Sequence, residues 1–355
     1  MKKNQLILGL ILVGVLVGLG AYAQHKHPFD FHAFGEQFKR ANWRQIAIGL
    51  GCIYLAYVFR SVRWALLLRH SKKVPVFSLL GTQVIGFTAV ALTGRVADLV
   101  RPYLVSKKTG LPISSQFAVY VVERLFDAGA MALIFSSVIL LAPPGALPHP
   151  EVFRKFGYWG MVGTAGGVLF LVLLRLSGEV VASFLERTFG LVSKGLGHSI
   201  GEKVRGFRAG LDTLRSPADF LITLGLSLAM WGLITTSYLE TARAFVASPQ
   251  LASLTLAQGM VLMVSSGVAS TIQLPVLGWF TQIYAVAATL GKLFNVSPES
   301  ATACAATLLL VTFLGIIPWG LLWARIEHVS FRKVSEESEH AGVESLSAPV
   351  ADEPA

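Results

Sequence analysis

The sequence predicts an all-α polytopic membrane protein with about six full spans and two re-entrant hairpins that break partway across the bilayer and form an inverted repeat. Three observations predict it. Of 355 residues, 54% are apolar and only 14% charged, against roughly 25% charged in soluble domains. Several apolar runs approach the ~20 residues needed to cross a ~30 Å hydrocarbon core. Lys and Arg gather in some links between those runs and avoid others. A soluble globular enzyme is excluded on composition. The net charge of +10 is unevenly spread, because residues 334–355 carry six acids and no Lys or Arg. The positive excess elsewhere reads as loop charge that orients the chain and meets anionic headgroups. No basic and aromatic stripe marks a nucleic-acid partner.

Each element follows from the same rules. Residues 6–20 are apolar behind Lys2 and Lys3 and precede Ala21-Tyr22-Ala23, so they read as an uncleaved first span or as a cleaved secretory signal; we take the span. Residues 24–42 are polar, with His25, His27 and His32 at no metal-ligand spacing, and read as a solvated outer loop. A second span, residues 46–59, ends in Arg60, Arg63, Arg69, Lys72 and Lys73, a cluster placed in the cytoplasm. Residues 76–92 are apolar enough to cross, yet they break at Thr93-Gly94 and resume as 95–106 before Lys107 and Lys108.

Charge decides how this broken segment lies. If residues 76–92 crossed fully, the charges of 95–108 and the seven Lys or Arg of 175–215 would both fall outside. A hairpin entering and leaving on the cytoplasmic side keeps both segments inside, and leaves outside the Pro-rich link 142–150, which has no Lys or Arg. Further spans are expected at 113–141, 158–176, 220–241 and 301–322. The second hairpin, residues 254–290, breaks around Gln273-Leu274-Pro275 and enters from outside, which puts Arg325, Arg332 and Lys333 in the cytoplasm. The links that follow the hairpins read alike, Gly110-Leu111-Pro112-Ile113-Ser114-Ser115 beside Asn295-Val296-Ser297-Pro298-Glu299-Ser300. Residues 178–214, with Val180, Val181, Phe184, Leu185 and Phe189 at helical spacing, are expected to be a cytoplasmic amphipathic insert within a membrane domain of 1–328. Residues 329–355 are expected to be a disordered acidic tail. Cys52 and Cys304 sit inside apolar runs and read as packing residues.

Charge at membrane depth is costly unless paired or watered, which makes it a functional candidate. Arg95, Asp98 and Arg101 follow the first break at spacing three, so Asp98 can reach either arginine on a helix. Glu123, Arg124 and Asp127 fall about 15 to 21 Å into the next span at ~1.5 Å per residue, near the bilayer midplane. Two readings fit. The six charges close an ion-pair network that holds hairpin to helix, or the guanidinium groups take an anionic headgroup, a phosphate above all, whose oxygens they match bidentately. In the second hairpin, Gln273 and Gln282 flank the break and are the candidate polar contacts. No Gly-rich phosphate loop, metal-ligand pair or nucleophile beside a base is present at motif spacing, so no cofactor or metal is expected and enzyme status stays open.

The run Gly94-Arg95-Val96-Ala97-Asp98-Leu99-Val100-Arg101-Pro102-Tyr103-Leu104, followed by Val121-Val122-Glu123-Arg124-Leu125-Phe126-Asp127, resembles the membrane domain of the lysylphosphatidylglycerol synthase family, also called the flippase-like domain family. The family's motifs read approximately Gly-Arg-x-Gly-Glu-x-x-Arg and Glu-Arg-x-x-Asp; here Ala97-Asp98 replaces Gly-Glu and keeps a shorter acid. A later landmark, Pro-Gly-Gly-x-Gly ending in Glu, is represented by Leu274-Pro275-Val276-Leu277-Gly278-Trp279-Phe280-Thr281-Gln282, with one Gly kept and the Glu missing. The resemblance implies a protein of the bacterial inner membrane that moves an anionic phospholipid or a polyprenyl-phosphate-linked headgroup between leaflets. In the bifunctional members a soluble aminoacyltransferase domain makes the lipid. Nothing of that size follows Glu327, so aminoacylation by this chain is not expected. The competing expectation is a membrane scaffold for a separate lipid-modifying or glycosyl-transferring enzyme, docked on the 178–214 insert.

Overall fold

A computed structural model describes residues 29–330, apart from 192, 194, 196, 199–200, 202–215 and 272–276. The expected first span, the break at Gln273 and the acidic tail lie outside the described residues. What is described is helical, with no strand.

The polar segment expected to be a loop contains a helix, α1 (Phe31–Arg40), started by Asp30, whose side chain accepts from the His32 and Ala33 amides. The helix is amphipathic: Phe34 and Phe38 pack inward, and the Phe38 ring centre is 6.2 Å from that of Phe245. Period-3.6 spacing of phenylalanines among polar residues is the helical signal that the loop reading passed over.

α2 (Trp43–Leu68) is capped by Asn42 and runs 26 residues, about 39 Å at ~1.5 Å per residue. It therefore continues well past the span expected at 46–59, and takes Arg60 and Arg63 with it. α2 lies antiparallel along α7 (Pro217–Arg243): Arg63 bonds Ser227 at 2.7 Å, and Arg69 and His70 both pair with Asp219. Asp219 also closes a capping box with Ser216.

The first hairpin is α3 (Val76–Thr93), a 3-10 turn (Arg95–Leu99) and α4 (Val100–Thr109). Gly94 joins the arms at φ 86° and ψ −169°, a conformation essentially reserved for glycine. The arms return to one end of the bundle, since Lys108 Nζ donates to Ser78 O at 3.0 Å and Lys72 Nζ to Thr109 O at 2.6 Å. This end, with Arg69, Lys72, Lys107 and Lys108, is called the basic end below.

α5 (Ile113–Leu140) and α6 (Pro150–Gly190) follow. The span expected at 158–176 and the start of the insert are one helix with a kink at Ser177 (φ −132°, ψ 33°). After α7 comes the short α8 (Pro249–Ala252). The second hairpin is α9 (Leu256–Ala269), started by a Thr255/Gln258 capping box, and α10 (Leu277–Phe294). Its arms meet through Ser265 and Thr289, whose hydroxyls are 2.8 Å apart. Leu254, Ala257, Leu290 and Phe294 share one core at the end opposite the basic one, beside Phe245 and Leu251. The two hairpins thus enter from opposite ends, as an inverted repeat requires. Their tips touch: Trp279 Nε1 donates to Ala91 O at 3.2 Å.

The last expected span is interrupted. α11 (Pro298–Thr312) passes into a 3-10 turn (Leu314–Ile316) and α12 (Ile317–Ile326), where Pro318 lacks the N–H that would bond Leu314. Tyr54 donates to Gly315 O at 2.9 Å and Thr88 to Ile316 O at 3.3 Å, so side chains of α2 and α3 tie down the backbone at the break. Glu327 beyond it meets Lys108 at 2.6 Å, at the basic end.

Among the described residues, four helical stretches are long and apolar enough to cross a membrane on their own: Trp43–Leu68, Val76–Thr93, Pro217–Arg243 and Pro298–Ile326. α5 has the length, 28 residues, but carries Glu123, Arg124 and Asp127. Large apolar side chains such as Leu55, Trp159, Phe170, Leu221, Tyr284 and Leu310 stay exposed. In water so much open apolar surface would aggregate, whereas in lipid it is the contact surface.

Candidate functional site

The centre of the molecule is an ion cluster assembled from α2, α5 and the first hairpin. Arg63, 1% exposed, donates from Nη1 to Asp127 Oδ1 at 2.7 Å and from Nη2 to Glu123 Oε1 at 2.8 Å. Arg101, with no exposure, donates from Nη1 to Glu123 Oε2 at 3.1 Å and to Gln83 Oε1 at 3.0 Å. Arg60 lies 3.4 Å from Asp127 and 3.6 Å from Glu123; Arg124 lies 3.0 Å and 3.4 Å from the same two groups. Four guanidinium groups thus converge on two carboxylates.

Local sequence explains why they meet. Glu123 and Asp127 are one turn apart on α5 and share a face, and Arg60 and Arg63 are one turn apart on α2. Gly86 admits the hairpin's return arm, because a Cβ there would collide with Arg101 Cγ. The Arg101 guanidinium then rests 4.4 Å from the centre of the Phe87 ring and 5.2 Å from that of Tyr120. Those ring faces stabilise a cation that water does not reach. An isolated charge at this depth would cost several kcal/mol, so the cluster is possible only because each carboxylate holds more than one arginine.

Beside the cluster is a cavity of about 230 Å³, walled by α2 (Tyr57, Arg60), both hairpins (Phe87, Asp98, Ser266, Gln282), α5 (Arg124) and α11 (Thr312). The arginines differ in access. Arg63 and Arg101 are sealed behind the carboxylates, while Arg60 and Arg124 line the cavity, and Arg124 is 37% exposed along its side chain. Among the described side chains, counting Glu123 and Asp127 against the four arginines leaves two positive charges over, and counting Asp98 on the cavity wall leaves one. Such a surplus at membrane depth favours an anion in the cavity.

Of the residues singled out from sequence, Asp98, Arg124 and Gln282 line the cavity, and Arg101, Glu123 and Asp127 form the cluster behind it. Arg101 pairs with Glu123 across the hairpin–helix contact and bonds Gln83 on the hairpin's other arm. Arg95 lies in the 3-10 turn at the hairpin's tip, with its side chain outside the described set, and Gln273 is outside the described residues. Sequence reasoning missed Arg60 and Arg63, assigning them to a cytoplasmic loop; burial and four ion pairs overturn that assignment. The signal was there: Trp64-Ala65-Leu66-Leu67-Leu68 continues the apolar run beyond Arg63.

Fold and site define a polytopic helical membrane protein with a charged cavity where two opposed hairpins meet. The family model described as the lysylphosphatidylglycerol synthase TM region matches residues 6–320, and the chain belongs to that family. Searches of curated proteins and of solved structures returned no match.

Proposed function

We propose that this protein moves an anionic phospholipid or a polyprenyl-phosphate-linked headgroup between the leaflets of the bacterial inner membrane, with its basic end and its C-terminus in the cytoplasm. The observation that carries this reading is the surplus of guanidinium facing the cavity between the hairpin tips. Arg60 and Arg124 take the phosphate oxygens, which guanidinium donors match bidentately. Asp98 and Gln282 contact the rest of the headgroup. The buried Arg63, Arg101, Glu123 and Asp127 hold the walls in register, so they are positioning residues. About 230 Å³ corresponds to some seven waters at ~30 Å³ each, enough for a hydrated phosphate but too little for a whole lipid. The chains therefore stay in the membrane while the headgroup crosses. Membership of the family supports the same reading.

The test is transfer of fluorescent anionic phospholipids and polyprenyl phosphates in proteoliposomes, read by quencher access to the headgroup. Arg60→Gln and Arg124→Gln should slow transfer roughly tenfold or more, the rate equivalent of one charge-assisted hydrogen bond. Full transfer by both variants would overturn the site.

A second reading, a scaffold for a separate lipid-modifying enzyme, is favoured by one feature: α6 continues past its kink with Val180 and Phe184 exposed. It predicts capture of such an enzyme by the wild type and not by Val180→Ser, Phe184→Ser, with no transfer of any lipid.

A further inference from the structure

A second cavity, of about 480 Å³, lies against α5 on a face adjacent to the one that borders the charged cavity, and is lined almost wholly by apolar groups. Its walls are α5 (Leu125, Ala128, Ala132) and α6 (Gly163, Gly167), and its floor is Phe220 of α7, whose ring centre lies 5.3 Å from that of Phe126 with the rings tilted at 56°. The shape follows from where the helices touch. At Gly160 the α5–α6 contact is closed, since Ser136 Oγ occupies the space that a Cβ would need. One and two turns further along, a Cβ at Gly163 or Gly167, or at Gly129 opposite, would meet nothing within 4 Å. Glycines that serve a helix–helix contact have a neighbour against them, as Gly49 has Thr241. These have none, so α5 and α6 part here and leave a cleft. The hydroxyl of Thr164 donates to Gly160 O, which removes the wall's polar hydrogen from the cleft.

From these observations we infer that the cleft between α5 and α6 holds one acyl chain of a membrane lipid. Three observations choose that occupant. The lining is apolar without a buried donor or acceptor to satisfy, which suits a hydrocarbon chain. The volume matches an unbranched chain of a dozen or more methylenes, each a little smaller than a water's ~30 Å³. The cleft also adjoins the charged cavity around a single helix: Arg124 and Met131 face the cavity, while Leu125, Ala128 and Ala132 face the cleft about 100° further round. A lipid with its phosphate at Arg124 has the cleft within reach of its chain. Retention of the chain there while the headgroup crosses rests on the function proposed above; occupancy of the cleft does not.

The test uses purified protein in vesicles of phosphatidylethanolamine and phosphatidylglycerol, doped with phosphatidylglycerol that carries a photoreactive diazirine on its acyl chain. Peptides spanning residues 125–133 and 160–170 should be labelled in the wild type. Gly163→Leu and Gly167→Leu should lose that labelling, because a Cβ at either position meets nothing within 4 Å, the side chain occupies the cleft, and leucine improves helix propensity. Headgroup transfer is measured in the same vesicles. Labelling that the filled variants lose supports the chain site even if no protein transfers lipid, an outcome that would remove the proposed function alone. Labelling absent from the wild type, or undiminished in both folded variants, overturns the chain site whatever the transfer shows. Disulfide-linked dimers formed by Gly163→Cys in the membrane overturn it too, by giving the cleft to a second copy.

Discussion

Arg63 and Arg124 carry the same group and touch the same two carboxylates, yet their positions assign them different work. Arg63 is sealed, bonding Asp127 at 2.7 Å, Glu123 at 2.8 Å and Ser227 at 2.7 Å. Removing it leaves two carboxylates short of their closest donor in a dry setting, a loss of about 3–5 kcal/mol. Arg63→Ala and Asp127→Ala should therefore lower the unfolding temperature of the detergent-solubilised protein sharply, and mostly fail to reach the membrane. Arg124 opens on the cavity, with Arg60 beside it to keep Asp127 paired. Arg124→Gln should melt close to the wild type and lose transfer. A variant set in which Arg124→Gln destabilised as much as Arg63→Ala would make the cluster a structural ion-pair network and nothing more.

The first hairpin depends on glycine at two points, for different reasons. At Gly86 the constraint is space, since the Arg101 side chain lies where a Cβ would be. At Gly94 it is backbone conformation, φ 86° with ψ −169°, which side chains other than hydrogen adopt at about 1–3 kcal/mol. Gly94→Ala should thus shift the tip that bears Asp98 and meets Trp279 through Ala91, while leaving the arms paired at Lys108 and Ser78. Slower transfer with an unfolding temperature lowered by only a few degrees is the expected result; an unchanged transfer rate would show that the tip's geometry is not used. α2 needs the reverse of a break. Its second part runs without Gly or Pro from Cys52 to Leu68, and this continuity draws Arg60 and Arg63 inward to α5.

Taken as one body, the molecule has two ends with different chemistry and a centre where the opposed hairpins touch. The contacts of Lys72, Lys108, Asp219 and Glu327 put four separate stretches of chain at the basic end. Those of Asn42, Ala244, Leu254 and Arg243 gather at the other, where Asn42 N donates to Ala244 O at 2.8 Å and Arg243 to Leu254 O at 2.9 Å. Single cysteines report this directly. In intact cells, Lys73→Cys and Lys107→Cys should resist a membrane-impermeant maleimide that labels Ser253→Cys and Asn295→Cys. Labelling of Lys107→Cys together with Ser253→Cys would mean that the first segment crosses, and the hairpin would be lost along with the opposed arrangement.

Class and hairpins were legible in the residues because each rests on a quantity read along the chain, apolar length or a glycine break. Charge at membrane depth singled out Asp98, Arg101, Glu123, Arg124 and Asp127, which the fold places in one ion cluster and the wall of its cavity. Arg60 and Arg63 were misplaced by an additive rule, since an arginine near the end of an apolar run costs little if it reaches the interface and much if it does not. Summed charge does not say which will happen, although the apolar run 64–68 beyond Arg63 points to the second. The decision lies with Glu123 and Asp127, some 60 residues on, whose carboxylates reach α2 only once α5, α7 and the hairpin are packed against it. The cleft beside α6 has the same origin. Glycines at 163 and 167 read as helix-packing positions in any sequence, and only the parting of α5 from α6 makes them walls of an open space. Pairing and vacancy are both properties of distance between segments, so they arise with the tertiary fold.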